Sequence, residues 1–283
     1  MRYGMSLLLW TGDVTPAHAG LLQSLKGWGF DFAELPLLTN IHEANYRALR
    51  PILDELGLER TLNAGASALC NPISPDKKIR RAAVDRFKRV MDICAILGVR
   101  ILNGPFTAPV NGIVGRPRMQ DEWDRAVEVF RELAPYAAER GVVMAHEYLN
   151  RFQTYFLNCM ADSVRFAEAV GHPSFALIYD TYHGQLEEKS HTEAITAGAR
   201  RIAYVQISES DRSTPGTGQV RWPEVFDALK NIDYDGWLSI EAFGPRPPEV
   251  ATLTRTWRQM FPSEEHVARE GLRFMRECWE EAA

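Results

Sequence analysis

Cysteine is scarce in this sequence, and its four cysteines form no close pair. Cys70, Cys94, Cys159 and Cys278 lie far apart, and none belongs to a Cys-x-x-Cys motif. A small disulfide-stabilised protein needs closely spaced cysteines, so that class is excluded. We therefore expect four buried free thiols in a reducing compartment.

Long apolar runs and runs of like charge are also missing. The apolar stretch near the N-terminus is too short for a secretory signal, and no span approaches the ~20 apolar residues of a membrane helix. The 32 Lys and Arg residues are balanced by 37 Asp and Glu residues, which leaves a formal charge of −5. We therefore expect a soluble, cytoplasmic protein with no membrane or nucleic-acid partner.

The sequence does contain a regular alternation of two kinds of segment along its 283 residues. Short apolar or β-branched runs, which predict strands, are followed by segments of helical period. The predicted strands are Met5–Trp10, Phe30–Leu35, Arg60–Ala64, Arg100–Gly104, Val142–Glu147, Ala176–Asp180, Ala203–Ser208 and Trp237–Glu241. The predicted helices cover residues 17–27, 43–56, 76–97, 120–139, 161–169, 191–199, 222–230 and 263 to the end.

Eight alternating units without a Gly/Ser linker predict an α/β protein with one domain, residues 1–283, folded as a closed (β/α)8 TIM barrel. The last helical segment, about 263–283, is predicted as a C-terminal extension. An open doubly wound sheet is the alternative, but no Gly-x-Gly-x-x-Gly motif follows the first strand. We therefore expect no nucleotide cofactor, and we expect the functional residues at the carboxyl ends of the strands.

Four consecutive predicted strands end in polar residues: Glu147, Asp180, Gln206 and Glu241. If these side chains face the mouth of the barrel, three carboxylates converge, and a divalent cation relieves their repulsion. All four ligand atoms would be oxygens, which suits Mn²⁺ or Mg²⁺ better than Zn²⁺. The pattern therefore predicts a metal site with these four ligands.

The sequence around these strand ends resembles a known superfamily. The resemblance is carried by the stretches Glu147-Tyr-Leu-Asn-Arg-Phe-Gln153, Asp180-Thr-Tyr-His-Gly-Gln-Leu-Glu-Glu188, Ser208–Trp222 and Ile240-Glu-Ala-Phe243. Nearly the whole chain is similar to the sugar-phosphate isomerase/epimerase superfamily of xylose-isomerase-like TIM barrels, and within it to the ketose 3-epimerases. The resemblance implies a keto-sugar substrate and one Mn²⁺ ion, or Mg²⁺ or Co²⁺ in its place.

The same resemblance implies roles for individual residues. Glu147 and Glu241 would transfer the protons, Asp180 would bind the metal, and His183 and Arg212 would contact sugar oxygens.

The chain departs from the epimerase pattern at several positions. Gln206 stands where the epimerases have a metal-binding His, Gln153 where they have Glu, and Ala242 where they have Pro. His146 stands where an aliphatic residue is usual and is a third candidate for proton transfer, although strand alternation turns it away from Glu147. These departures resemble the catalytic α-subunit of C-glycoside deglycosidases, which works with a small β-subunit on sugars oxidised at carbon 3.

Both resemblances imply removal of a proton next to a ketone, with the cation stabilising the enolate. Our first prediction is a lyase of the C-glycoside deglycosidase type, which cleaves 3-oxo-C-glycosides by β-elimination. The alternative is a ketose 3-epimerase of the D-tagatose or D-psicose type, or a related sugar isomerase. A non-catalytic sugar-binding subunit is a further alternative.

Residues outside the four strand ends complete the predicted surroundings. Trp10, Glu34, Asn63 and Phe106, which follow strands one to four, are expected to line the mouth and contact the substrate, together with Gln153. The segment 251–261 resembles family segments that form oligomer contacts. We therefore expect an oligomer, and a small β-subunit is a further predicted partner.

Overall fold

A computed structural model describes residues 1–282, in which eight parallel strands close into a barrel. The strands are β1 (Arg2–Ser6), β2 (Phe32–Pro36), β3 (Glu59–Asn63), β4 (Ile101–Gly104), β5 (Val143–His146), β6 (Phe175–Asp180), β7 (Ile202–Ile207) and β8 (Trp237–Ile240). Each strand pairs with the next in sequence, and β8 pairs with β1 to close the ring. The predicted (β/α)8 barrel is therefore confirmed.

Ten α-helices accompany the strands within residues 1–282. They are α1 (Ala19–Trp28), α2 (Glu43–Glu55), α3 (Lys77–Leu97), α4 (Gln120–Glu139), α5 (Met160–Val170), α6 (Thr181–Glu187), α7 (His191–Gly198), α8 (Trp222–Asn231), α9 (Pro248–Thr254) and α10 (Glu264–Glu281). Two of them, α6 and α9, were not predicted; each has seven residues, and α6 follows β6 directly while α9 follows β8 after a short loop. Both turn out to shape the mouth of the barrel.

The interior of the barrel has an apolar layer below a polar one, because alternate strand residues point inward. Phe32 packs edge-on against Trp237 and Tyr204, with ring centroids 4.8 and 6.1 Å apart. Two residues further along β2, Glu34 accepts a 2.6 Å hydrogen bond from the Tyr204 hydroxyl. Asn103 of β4 also reaches Glu34, at 3.4 Å. This buried polar layer separates the apolar base from the mouth.

The first strand differs from its prediction. It runs over Arg2–Ser6, and the next three residues, Leu7–Leu9, form a 3-10 turn rather than continuing the predicted strand Met5–Trp10. All three leucines are buried, so the apolar run continues through the turn. Hydrophobicity alone therefore does not mark where this strand ends.

Glycines terminate two of the helices, and the last helix packs against the barrel. Gly98 and Gly141 adopt left-handed backbone, with φ of 73° and 66°, just before β4 and β5, as their positions predict. The predicted extension forms α10, which packs on β1, β8 and α8. The last residue of the predicted extension, Ala283, lies outside the described residues.

Two expectations from composition can be compared with the structure. The cysteines are free, but only Cys94 is buried, and Cys70, Cys159 and Cys278 are half-buried. Among residues 1–282, no helix combines the length and the apolar sequence that crossing a membrane requires.

Candidate active site

A cavity of about 580 Å³ opens at the carboxyl ends of the strands. Its floor is polar and includes Glu147, His183, Arg212 and Glu241. Its walls are largely apolar, with Leu8, Leu38, Pro105, Pro109, Val110, Leu149, Phe243, Val250 and Leu253 among them. A volume of this size is typical of small-molecule sites.

Asp180 connects the floor of the cavity to helix α6. Its Oδ1 accepts hydrogen bonds from the backbone N–H groups of Tyr182 at 2.6 Å and His183 at 3.1 Å, so it caps the helix. Its Oδ2 accepts a 3.0 Å hydrogen bond from Arg212. One carboxylate therefore begins a helix and places both His183 and Arg212 beside the cavity.

Both ring nitrogens of His183 lie within hydrogen-bond distance of other residues. The backbone N–H of Asn150 donates to Nδ1 at 2.9 Å, so Nδ1 acts as an acceptor. Nε2 lies 3.1 Å from the acceptor Glu147 Oε1 and 3.0 Å from Arg212 Nη2, which can only donate. Nε2 therefore faces one acceptor and one donor.

Arg212 lies between two carboxylates in the floor. Its Nη1 donates to Asp180 Oδ2 at 3.0 Å and to Glu241 Oε2 at 2.8 Å. Its Nη2 lies 3.0 Å from Nε2 of His183, and its guanidinium stacks over the Tyr182 ring at 3.8 Å. Burial alone would lower the pKa of Arg212, but Asp180 and Glu241 more than offset this and raise it.

Gln206 and Glu241 form a buried pair at the ends of β7 and β8. The amide Nε2 of Gln206 donates to Glu241 Oε1 at 2.9 Å, while its amide oxygen is buried without a partner. Burial raises the pKa of Glu241 well above its ordinary value, Arg212 acts to lower it, and Glu147 and Asp180 raise it further. The Gln206 amide oxygen is therefore short of a hydrogen-bonding partner.

The residues in the floor fit a divalent cation. Ligand atoms of Glu147, Asp180 and His183 all lie within 4.8 Å of one another, and all three residues are buried. The unpartnered oxygen of Gln206 supplies one more hard donor at the same edge of the barrel. Carboxylate and amide oxygens therefore make up most of the donor set, which suits a hard cation.

His146 lies behind the barrel wall and does not line the cavity. Its ring packs between Phe106 and Phe175, with centroids about 6 Å away, and Nδ1 accepts the Phe106 backbone N–H at 3.2 Å. Burial lowers the pKa of His146 to about 3. The structure therefore places it with the core aromatics and apart from Glu147, as strand alternation predicts.

Three more predicted contacts are not among the described residues that line the cavity. Phe106 packs against Phe87 in the core, with centroids 5.4 Å apart. Glu34 lies in the polar layer below the floor, and Trp10 follows the 3-10 turn after β1. Asn63 and Gln153, in contrast, do line the cavity, and Gln153 accepts a 2.9 Å hydrogen bond from Asn150.

Asn111 is an additional residue at the mouth that the sequence did not single out. Its side chain donates to the carbonyl of Leu253 at 3.0 Å, and its backbone N–H donates to the carbonyl of Gln153 at 2.7 Å. The loops after β4, β5 and β8 are thereby joined over the cavity. The only local signal is Asn before Gly112, a pair typical of turns, which predicts a loop and no more.

The family described as Xylose isomerase-like TIM barrel matches residues 22–278. The chain belongs to this family. The predicted place in the sugar-phosphate isomerase/epimerase superfamily is therefore confirmed.

Individual members of the superfamily resemble the chain over nearly its full length. A probable ketose 3-epimerase of Synechocystis is 29% identical over 99% of this chain and 97% of its own. An L-ribulose 3-epimerase of Methylomonas is 28% identical over 98% and 97%. The crystal structure of D-allulose 3-epimerase from Methylomonas with D-allulose has a TM-score of 0.90 at 27% identity, covering 98% of this chain and 96% of that one.

Proposed function

We propose that this protein is a divalent-metal-dependent epimerase of keto sugars. It removes a proton from the carbon next to the ketone and returns a proton to the opposite face. The observation that supports this most is the pair of buried carboxylates, Glu147 after β5 and Glu241 after β8, which face one cavity with His183 and Arg212 between them. Since β5 and β8 are three strands apart in the ring, the two carboxyl groups approach a ligand from different sides.

Different residues of the floor transfer the protons and bind the sugar oxygens. Epimerisation needs one base in its ionised form and one acid in its protonated form on opposite faces. Glu147, beside His183, and Glu241, beside Arg212 and Gln206, supply these two proton-transfer groups. Arg212 and His183 present N–H groups toward the cavity, where they bind and orient sugar oxygens.

A cation held by Glu147, Asp180 and Glu241, with the Gln206 oxygen, would supply Lewis acidity that makes the proton next to the ketone more acidic. Manganese is our proposed ion, with magnesium or cobalt as substitutes, because the donor set is dominated by oxygen.

The relatives favour epimerisation over the elimination that was our first prediction from sequence. The proteins described above are named ketose, ribulose and allulose 3-epimerases. A deglycosidase would need a further acid that protonates the leaving group. The small β-subunit and the oligomer stay predictions.

The test is to incubate the Mn²⁺-loaded protein in D2O with D-fructose, D-allulose or a 3-oxo-C-glucoside and follow the products by NMR. We expect a 3-epimer carrying deuterium at the inverted carbon. Glu147→Gln and Glu241→Gln should each lower turnover by about 100-fold or more, because each removes one proton-transfer group. Glu132→Gln, which alters a surface ion pair with Lys88, is the control and should leave turnover unchanged.

Two results would overturn the proposal. Release of the aglycone from the 3-oxo-C-glucoside without any epimer would establish the lyase instead. Full turnover in both glutamine variants would remove Glu147 and Glu241 from the reaction.

A further inference from the structure

A buried carboxylate, Glu209, lies at the centre of the loop that joins β7 to α8. The side chain of Glu209 is fully buried, and the structure pairs it with no Lys or Arg among the described residues. Its oxygens accept from the backbone N–H groups of residues 210, 216, 219 and 220, at 2.7 to 3.1 Å. The indole N–H of Trp222 also donates to it, at 3.1 Å.

The Pro-Gly-Thr-Gly sequence of this loop is explained by that carboxylate. Gly216 has a φ of +88°, which only glycine adopts readily. At Gly218, a Cβ atom would lie 2.5 Å from Glu209 Oε1, so only glycine permits this close approach. The loop resembles a phosphate-binding turn, but three of its N–H groups, at residues 216, 219 and 220, are already taken by Glu209.

The same loop places Arg212 at the cavity. The backbone of Arg212 is left-handed, with φ of +64°, a strained conformation for a residue with a side chain. Its N–H donates to the Glu209 carbonyl at 2.9 Å, and its carbonyl accepts from the Phe243 N–H at 2.9 Å. A strained residue persists only where its surroundings hold it, and Glu209 takes part in more of the loop's internal hydrogen bonds than any other residue.

We propose that Glu209 is a positioning residue for Arg212. Its carboxylate gathers the N–H groups of the loop, and the folded loop holds the Arg212 guanidinium between Asp180 and Glu241. Glu209 itself does not line the cavity. The effect on activity rests on the proposed function, while the effect on the position of Arg212 does not.

The first test is Glu209→Gln, combined with Arg212→Gln in a double-mutant cycle. The amide of the variant must turn its NH2 group toward at least one of the loop N–H donors, so the loop shifts. Because misplacing a group by about 1 Å costs about 100-fold, we expect kcat for keto-sugar epimerisation to fall about 10- to 100-fold. In the Arg212→Gln background the same change should lower kcat by less than about twofold.

Glu122→Gln is the matched control. Glu122 is also a buried carboxylate with several donors, namely Arg116, Tyr155 and the Met119 N–H, but it lies in helix α4. Glu122→Gln should change kcat by the same factor in the wild-type and the Arg212→Gln backgrounds. If Glu209→Gln also lowers kcat equally in both backgrounds, the proposal is wrong.

A crystal structure of Glu209→Gln gives a readout that needs no activity. We expect Arg212 Nη1 to leave hydrogen-bond distance of Asp180 and Glu241, and an unmoved guanidinium would overturn the proposal. If the variant does not fold, Gly218→Ala replaces it, because the added Cβ displaces the same carboxylate. Should the wild type act on no keto sugar, the proposed function fails, and the crystal structure still decides the role of Glu209.

Discussion

The two halves of the barrel contribute differently to the cavity. The polar floor comes from the carboxyl ends of β5 to β8, where Asp180 and Gln206 hydrogen-bond to Arg212 and Glu241, two of the residues that line it. The loops after β1 to β4 supply mostly apolar wall, including Leu8, Leu38 and two prolines. The chemistry is therefore concentrated in the second half, and the first half shapes the space in which it occurs.

The difference between the two halves is tested most directly by replacing one carboxylate in each half. We expect Asp180→Asn to lower turnover by about 1,000-fold or more, because it removes a proposed cation ligand and the partner of Arg212. The matched control is Asp13→Asn, since Asp13 likewise accepts backbone N–H groups, from Thr39 and Asn40, but lies after β1. Turnover and bound manganese should both remain in the control.

Loss of activity in the Asp13 variant equal to that in the Asp180 variant, with both folded, would show that the two halves share the chemistry.

A second test concerns Glu34, the buried carboxylate of β2 in the first half. Burial raises the pKa of Glu34 from 4.5 to about 7. Between these values the unfolded chain has released the proton while the folded chain keeps it, so the free energy of unfolding falls as pH rises from about 4.5 to 7. The loss is on the order of 3 kcal/mol and is complete above pH 7.

Glu34→Gln should remove this part of the pH dependence, which urea unfolding at several pH values would measure. The control is Glu122→Gln, because Arg116 holds the pKa of Glu122 low, at about 2. That carboxyl instead stabilises the fold above pH 4.5 and loses its contribution as pH falls toward 2. An unchanged slope between pH 4.5 and 7 in Glu34→Gln would contradict the assignment.

The smallest effect on activity is expected at His146. We expect His146→Leu to change turnover by less than about threefold, because the ring does not reach the cavity. It should destabilise the fold by about 1–3 kcal/mol, since the buried Phe106 N–H loses its acceptor. A folded variant with turnover reduced 100-fold would place His146 in the chemistry after all.

The difference between the two halves of the barrel also explains which site residues the sequence could predict. Strand periodicity identified all eight strands, and a carboxylate or amide directly after an apolar run marked each of the four floor positions. The same rule predicted that Trp10, Glu34 and Phe106 would contact the substrate. In the structure the 3-10 turn Leu7–Leu9 precedes Trp10, Glu34 lies below the floor, and Phe106 packs in the core. Inward or outward direction depends on the register of each strand end, which a shift of one residue reverses.

The hydrogen bonds of the floor depend on contacts between distant segments and could not be predicted. His183 and Asn150 are 33 residues apart, and Gln206 and Glu241 are 35 apart. The short helices α6 and α9 have too few residues for a helical period to show, so their role at the mouth was also missed.

The bridge made by Asn111 has a consequence for how this chain can diversify. Because Asn111 joins the loops after β4, β5 and β8, a change in the length of any one loop would strain its hydrogen bonds to the other two. New substrate preferences are therefore more accessible through replacement of single wall residues such as Leu38 or Leu253 than through insertions. Laboratory evolution of this barrel should accordingly enrich substitutions in the wall and leave the loop lengths unchanged.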